Sequence, residues 1–135
     1  MLHTSYIELS KKALNNNIRY LKSLAKKDTR YSMVIKANAY GHGIEDILPL
    51  IEECGVDHFS VFSVAEAKRA HKIKNKNCDL MILGWIDTDE ISWAIAHEVS
   101  FFVFTIERLS AACEVAGKMN KPARIHIEVE TGMHR

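Results

Sequence analysis

Long apolar runs, paired cysteines and an excess of one charge are all missing from this chain. No run reaches the roughly 18 apolar residues of a membrane span, and residues 1–10 lack the apolar core of a signal peptide. The 18 basic and 17 acidic residues nearly cancel, which argues against a nucleic-acid partner. Cys54, Cys78 and Cys113 are far apart, and neither they nor the seven histidines show metal-ligand spacing. We therefore predict a cytoplasmic globular protein without a bound metal, with buried, reduced thiols.

The chain alternates between strand-like and helical segments. Near-continuous apolar runs, typical of strands buried on both faces, occur at residues 31–36, 58–62, 79–83, 100–104 and 124–129. Helical periodicity fills the gaps between them. Ser63 with Glu66, and Asp87 with Glu90, have the spacing of a capping box, and Thr105 is placed as an N-cap. This alternation predicts an α/β fold with a parallel sheet.

The number of units restricts the architecture. The alternation suits a (β/α)8 barrel and an open doubly wound sheet equally, although no Gly-x-Gly-x-x-Gly turn supports dinucleotide binding. Residues 1–30 are expected to form a leading strand at 5–9 and a helix that Ser10 caps. Residues 31–135 are expected to form five β/α units, whereas a barrel needs eight. We expect an incomplete TIM-type barrel, formed by the first five units.

Lys36 is the first candidate for chemistry. It ends the strand-like segment 31–36, directly after the apolar residues 33–35, and it precedes a glycine-rich polar turn. An amine in such a run is poorly solvated, which disfavours its charged form. A neutral amine is a nucleophile that condenses with aldehydes. The simpler interpretation is a lysine at a strand end, whose stem packs while its ammonium group reaches water.

The last twelve residues form the second candidate. His126, Glu128 and Glu130 alternate with apolar residues, so a strand places them on one face. On an antiparallel sheet this would be the solvated face. In a parallel barrel it would face the interior, where polar side chains indicate a function. Residues 131–135 follow at the carboxyl end of the strand, where barrel enzymes build their active sites.

Both segments resemble the alanine racemase family, a group of enzymes that use pyridoxal 5'-phosphate (PLP). Residues 36–43 match its PLP-lysine signature, Lys-Ala-Asn-Ala-Tyr-Gly-His-Gly, at every position. Residues 130–135 resemble its Asp-Thr-Gly-Met-x-Arg segment, with Glu130 at the acidic position. The resemblance implies that residues 1–135 are the N-terminal part of a PLP-binding barrel domain, without the β domain that follows the barrel in the family.

The resemblance also implies roles for individual residues. Lys36 would form the Schiff base with PLP and move the Cα proton on one face of the amino acid, and Tyr40 would reach the cofactor phosphate. Arg135 would bind the phenolic oxygen of PLP and the substrate carboxylate, and Met133 would line the site. Many family members carry a carbamylated lysine where this chain has Glu128, whose carboxylate presents the same negative charge. The alternative for Glu128 is a solvated strand residue.

The implied function is the interconversion of L- and D-alanine, an isomerase reaction that supplies D-alanine for the cell wall. The implied assembly is a homodimer, because each active site of the family borrows groups from its partner subunit. The second base of the family is a tyrosine of the β domain, and none of the four tyrosines here has a matching context. The isolated chain is therefore expected to lack activity.

Three other interpretations stay open at this point. The first is a PLP-dependent racemase of another or broader amino-acid specificity. The second is a non-catalytic PLP-binding barrel protein, although its relatives lack the long continuation after the lysine. The third is a half-barrel that self-associates through its open edge strands, because exposed sheet edges tend to pair with another chain.

Overall fold

The computed structural model describes residues 5–133, and a five-stranded parallel sheet forms its centre. The strands are β1 (Met33–Val34), β2 (His58–Val61), β3 (Asp79–Ile82), β4 (Ser100–Val103) and β5 (Ile125–Ile127). The helical segments are α1 (Lys11–Leu24), α2 (Lys36–Tyr40), α3 (Ile44–Glu53), α4 (Val64–Ile73), α5 (Thr88–Ala96) and α6 (Ile106–Met119). Each of the five strands lies inside a segment predicted from the sequence.

The order of the strands distinguishes the two architectures that the sequence left open. The sheet runs β1-β2-β3-β4-β5, so each strand pairs with the next one along the chain. A doubly wound sheet reverses its order at a switch point, and this sheet does not. Successive right-handed crossovers then place the helices on one face of the sheet. The predicted series of five β/α units is confirmed, and its winding is that of a barrel.

The two faces of the sheet differ in burial. Alternate residues of the central strands are at most 3% exposed and form the core with the helices: Phe59, Val61, Leu80, Ile82, Phe101 and Val103. The neighbouring positions belong to the other face, where Met81 and Phe102 are only half-buried. Apolar side chains at the ends of the strands are more open there, with Phe62 and Trp85 about half exposed.

Three of the four predicted helix caps form as expected, and the first is Ser10, whose hydroxyl accepts a hydrogen bond from the Ala13 amide at 3.3 Å. The Ser63 hydroxyl accepts a hydrogen bond from the Glu66 amide, and Glu66 completes the capping box, while Thr105 accepts from the Arg108 amide. The predicted box at Asp87 is wrong, because its side chain makes no capping hydrogen bond. Its carboxylate instead accepts a hydrogen bond from the indole nitrogen of Trp85, at 3.0 Å.

Two further expectations need correction. Residues 5–9 form no strand; Tyr6 and Ile7 are largely exposed and find no partner strand. Only Cys78 is a buried thiol, since Cys54 is half-buried and Cys113 is exposed on α6. Burial, followed by a hydrogen bond to Glu52, raises the pKa of Cys78 to about 11.

A chain of ion pairs crosses the sheet at the amino ends of its strands. Arg30 binds Asp57 at 3.2 Å and Asp79 at 2.7 Å, and Arg124 binds Asp79 and Glu98, both at 3.0 Å. Burial raises the pKa of Asp79, but the hydrogen bonds and charges of the two arginines outweigh it and hold this pKa below its usual value. These contacts stabilise the edge of the sheet opposite the candidate site.

Among the described residues, no helix is long and apolar enough to cross a membrane.

Candidate functional site at the carboxyl edge of the sheet

The carboxyl ends of the five parallel strands meet at one edge of the sheet, which is where barrel enzymes place their chemistry. Lys36 follows β1, Phe62 follows β2, and Leu83 to Trp85 follow β3. Phe104 follows β4, and Glu128 follows β5. One amine, one carboxylate and several aromatic rings therefore come from separate segments to the same edge.

Lys36 lies at this edge and not inside a strand. β1 ends at Val34, Ile35 is only 1% exposed, and Lys36 is half-buried at the start of the next turn. The expectation of a lysine deep in a strand is therefore wrong, because the backbone leaves the sheet one residue before it.

The backbone after Lys36 forms a turn of left-handed helix. Ala37, Asn38, Ala39 and Tyr40 have φ values between 51° and 55°. Such a conformation costs L-residues about 1–2 kcal/mol each. Internal hydrogen bonds partly offset this cost: the Ala39 amide donates to the Ile35 carbonyl at 2.9 Å, and the Gly43 amide donates to the Asn38 carbonyl at 3.0 Å. The motif thus folds as a strained, compact loop, named here the left-handed turn, that begins directly at Lys36.

Two side chains of α4 hold this left-handed turn at Asn38. The Arg69 guanidinium donates to the Asn38 side-chain oxygen at 2.6 Å and to both carboxylate oxygens of Glu45, at 2.7 and 2.6 Å. Glu66 accepts from the Asn38 amide at 3.4 Å and from the Phe62 amide at 2.9 Å. The hydrogen bond from Arg69 holds the pKa of Glu45 below its usual value. The sequence marked Glu66 only as half of a capping box and gave no sign of Arg69.

An apolar cavity of about 370 Å³ opens at the same edge, over the ends of β2 to β5. Its walls are mostly aromatic, with a single acidic group: Phe62, Leu83, Gly84, Trp85, Phe102, Phe104 and Glu128. Gly84 allows β2 and β3 to approach here, since a Cβ at this position would lie 2.5 Å from the Phe62 carbonyl oxygen. Such a cavity suits a flat, apolar ring.

Trp85 is a fixed wall of this cavity and not a core residue. Its side chain is 53% exposed. The Arg108 guanidinium lies 4.0 Å from the centre of the indole, and the Phe104 ring is stacked at 6.4 Å. Together with the hydrogen bond to Asp87, these contacts fix the orientation of the indole before any ligand binds. A tryptophan right after an apolar strand, next to a glycine, was the available signal.

The other predicted residues lie at the β5 side of the sheet. His126 pairs with Phe102 in the register of β4 and β5, with ring centroids 5.4 Å apart, so it faces away from the helices. Glu128 donates its amide to the Val103 carbonyl at 3.1 Å and lines the cavity. Met133 is 81% exposed. Arg135 lies outside the described residues.

The structure brings some of these residues together and keeps others apart. Lys36 and Tyr40 share the left-handed turn, and the Tyr40 ring is 63% exposed there. Glu128 lies beyond β5, four strand spacings from β1, which amounts to about 19 Å along the sheet. Within residues 5–133, no hydrogen bond or ion pair joins Lys36 to Glu128. The two candidate segments therefore stand at opposite ends of one open, concave edge.

The donor set at this edge fits part of a PLP site. A primary amine such as that of Lys36 is the group that condenses with an aldehyde, and the aromatic cavity, whose lining does not include Lys36, suits a pyridine ring. The lining of the cavity includes no cationic side chain for a phosphate group. The residues present thus match the reactive end and the ring of PLP, while the phosphate would need other donors.

Comparison with known proteins agrees with this fold. The sequence profile of the family "Alanine racemase, N-terminal domain" matches residues 9–135. The alanine racemase of Methanococcus maripaludis is 29% identical over 133 residues, covering 98% of this chain and 35% of the relative. That of Helicobacter pylori (strain Shi470) is 30% identical, covering 97% and 34%.

Solved structures give the same result. The crystal structure of alanine racemase from Oenococcus oeni superposes with a TM-score of 0.83 at 30% identity, covering 95% of this chain and 36% of that protein. The alanine racemase of Clostridium difficile 630 gives a TM-score of 0.84 at 27% identity, covering 92% and 32%. This chain thus spans about a third of the length of the relatives it matches. Over that span, and in sequence as well as in fold, the chain belongs to the alanine racemase family.

Proposed function

We propose that this chain carries the lysine-bearing part of a PLP-dependent amino-acid racemase that interconverts L- and D-alanine. The observation that carries the proposal is the position of Lys36 at the carboxyl end of β1, where a strained left-handed turn begins. Strain of this kind persists where the surrounding structure maintains it, and it clusters at functional sites. A lysine at a strand end whose ammonium group only reached the solvent would not need such a turn.

Lys36 has two tasks in this proposal. Its amine would hold PLP covalently, and the same amine would carry the Cα proton on one face of the amino acid. PLP, when bound, supplies the delocalised ring system that stabilises the negative charge at Cα. The protein contributes the position of the amine and the exclusion of water. Lys36 is half-buried and follows β1 at the same edge of the sheet onto which the aromatic cavity opens, and this position suits both tasks.

The remaining residues would bind and orient the ligands. Tyr40 would reach the cofactor phosphate from the left-handed turn, and Arg135 would bind the phenolic oxygen of PLP and the substrate carboxylate. Met133 would line the substrate side, and Glu128 would supply a negative charge that steadies Arg135. The lining of the cavity by Glu128 supports its placement on the ligand side of the sheet.

Racemisation requires a second acid or base on the opposite face of a planar Cα. Among the tyrosines, Tyr6, Tyr20 and Tyr40 are well exposed, yet Tyr20 lies on α1 and Tyr6 in the segment before that helix. Tyr40 shares the left-handed turn with Lys36 and would occupy the phosphate side. The second base would come from a β domain of a partner subunit, as part of a homodimer that works in the cytoplasm. We therefore expect no racemisation by the 135-residue chain alone.

The test is to mix the purified chain with PLP, reduce it with borohydride, and map the modified lysine by peptide mass spectrometry. We expect pyridoxyl label concentrated at Lys36 and lost in Lys36→Ala. Lys74→Ala is the matched control, because Lys36 and Lys74 are the two half-buried lysines within residues 5–133. Label spread evenly over exposed lysines, with no loss in Lys36→Ala, would contradict the assignment of Lys36.

Two alternatives differ from the main proposal in substrate or in catalysis. A racemase of broader specificity would share the same lysine chemistry, and the aromatic cavity would then admit larger side chains than that of alanine. A PLP-binding protein without catalysis would also label at Lys36. Assays of both enantiomers of several amino acids, on a chain extended to the length of the relatives, separate these cases. Alanine racemisation by the 135-residue chain itself would contradict the need for a second domain.

A further inference from the structure

The left-handed turn cannot be held by its own hydrogen bonds alone, because four consecutive residues occupy a conformation that L-residues rarely adopt. Strained backbone persists only where surrounding structure over-determines it. Asn38 is the residue of this turn with the most outside contacts. Its amide, its carbonyl and its side-chain oxygen are all engaged, the last by the Arg69 guanidinium and the Ile44 amide.

Arg69 joins three separate elements through these contacts. It projects from α4, binds Glu45 of α3 through two hydrogen bonds, and donates a third to Asn38. Both distances from its terminal nitrogen, to Glu45 and to Asn38, are 2.6 Å. A planar guanidinium can make these contacts at once because its donors form a rigid fork. The position of Asn38 is thereby tied to the two helices that flank β2.

Glu66 secures the same turn from the adjacent helical position. It lies one turn before Arg69 on α4, and its carboxylate accepts from the amides of Asn38, Phe62 and Ser63. A capping box needs only the last of these hydrogen bonds. The other two connect the end of β2 with the left-handed turn. The start of α4 therefore fixes the backbone on both sides of the site, after β1 and after β2.

We propose that Arg69, assisted by Glu66, is a positioning residue that holds Asn38 in the left-handed turn and so fixes the direction in which Lys36 leaves β1. This inference rests on the proposed function of Lys36. The ion pair itself contributes little to global stability, because both partners are exposed, with side-chain exposures of 42% for Arg69 and 48% for Glu45. Loss of Arg69 should thus affect the site much more than the fold.

The first test compares Arg69→Met with Arg124→Met. Arg124 is the matched control, since it also makes ion pairs while 46% exposed, but at the opposite edge of the sheet. For Arg69→Met we expect the PLP concentration that half-labels Lys36 to rise about tenfold, because misplaced reacting groups lose affinity and rate steeply. The urea midpoint should stay within error of the unsubstituted chain. Arg69→Lys, which keeps one charged donor, should recover part of the labelling, and Arg124→Met should leave it unchanged.

The second test needs no cofactor and measures amide hydrogen exchange of Gly41 and Gly43. Their amides donate to carbonyls of Ala37 and Asn38 inside the left-handed turn. Arg69→Met should speed this exchange about tenfold, the effect of losing one hydrogen bond from a charged donor. The control Arg124→Met should not change it.

The two tests separate failure of this inference from failure of the proposed function. If the unsubstituted chain does not label at Lys36, the proposed function fails, and exchange alone decides the role of Arg69. If the chain labels at Lys36 but Arg69→Met changes neither labelling nor exchange, the positioning role is overturned. Faster exchange with unchanged labelling overturns the positioning role as well, because the left-handed turn would then not determine the position of Lys36. A large fall in the urea midpoint would show that Arg69 acts on the whole fold, which also overturns it.

Discussion

Replacing Ala37 by glycine should stabilise this protein, although the same change weakens ordinary helices. Ala37 is exposed and has φ 51° and ψ 49°, in the left-handed region. Glycine adopts this region without a steric penalty because it lacks Cβ. The Ala37 methyl group is exposed, so its removal leaves no cavity. The substitution therefore changes backbone strain and little else in the folded state.

The magnitude follows from two opposing terms. The left-handed conformation costs an L-residue about 1–2 kcal/mol, which Ala37→Gly removes. Glycine also gives the unfolded chain more freedom, which costs about 0.4–1 kcal/mol. The net effect is an increase of about 0.5–1 kcal/mol in the free energy of unfolding. For a chain of this size, that corresponds to a rise in Tm of about 2–4 °C.

The matched control is Ala65→Gly, an exposed alanine in the right-handed helix α4. Here glycine relieves no strain and should cost roughly 0.5–1 kcal/mol. Urea unfolding followed by far-ultraviolet circular dichroism measures both variants. The two changes should have opposite signs. If Ala37→Gly destabilises the chain as much as Ala65→Gly, the left-handed turn after Lys36 is not the conformation in solution.

Two further predictions concern titration and thiol reactivity. Asp79 has a lowered pKa in the folded state. Its ionised form therefore contributes stability at a pH above the usual aspartate pKa near 3.8, and this contribution is lost as the pH falls below that pKa. Asp79→Asn should flatten the acid part of a plot of unfolding free energy against pH; an unchanged slope would contradict the role of Arg30 and Arg124. At pH 8, iodoacetamide should modify Cys113 well before Cys78, whose raised pKa and burial protect it. Peptide mass spectrometry at short times measures this, and equal rates would refute it.

Local sequence patterns predicted the secondary structure well where the causes are local. The five strands lie inside apolar runs, and in β2, β3 and β4 these runs supply the side chains that are buried against the helices. Ser63 and Thr105 cap their helices because a hydroxyl three residues before a free amide can always reach it. Asp87 has the same spacing and fails, since the Trp85 indole competes for its carboxylate. That competitor comes from the end of β3, and spacing alone does not show it.

In the candidate site, too, local sequence predicted one part, and contacts between distant elements produced the other. The motif around Lys36 made this residue a candidate, because its eight residues resemble a known signature. Neither the half-buried position of Lys36 nor the left-handed backbone follows from that signature, since alanine and tyrosine have no local preference for positive φ. Glu66, Arg69 and Trp85 entered the site only through contacts between elements distant in sequence.

The sequence by itself determined the α/β class, the five units and the family, and it singled out Lys36 as a candidate. These properties reside in periodicity and in contiguous residues, which a linear pattern records. The tertiary structure decided the order of the strands, which distinguishes a barrel winding from a doubly wound sheet. It also decided how the lysine is held, because the helices α3 and α4 reach the left-handed turn only once both pack on one face of the sheet. Such contacts join residues about 30 positions apart, and only the packed chain brings them within hydrogen-bond distance.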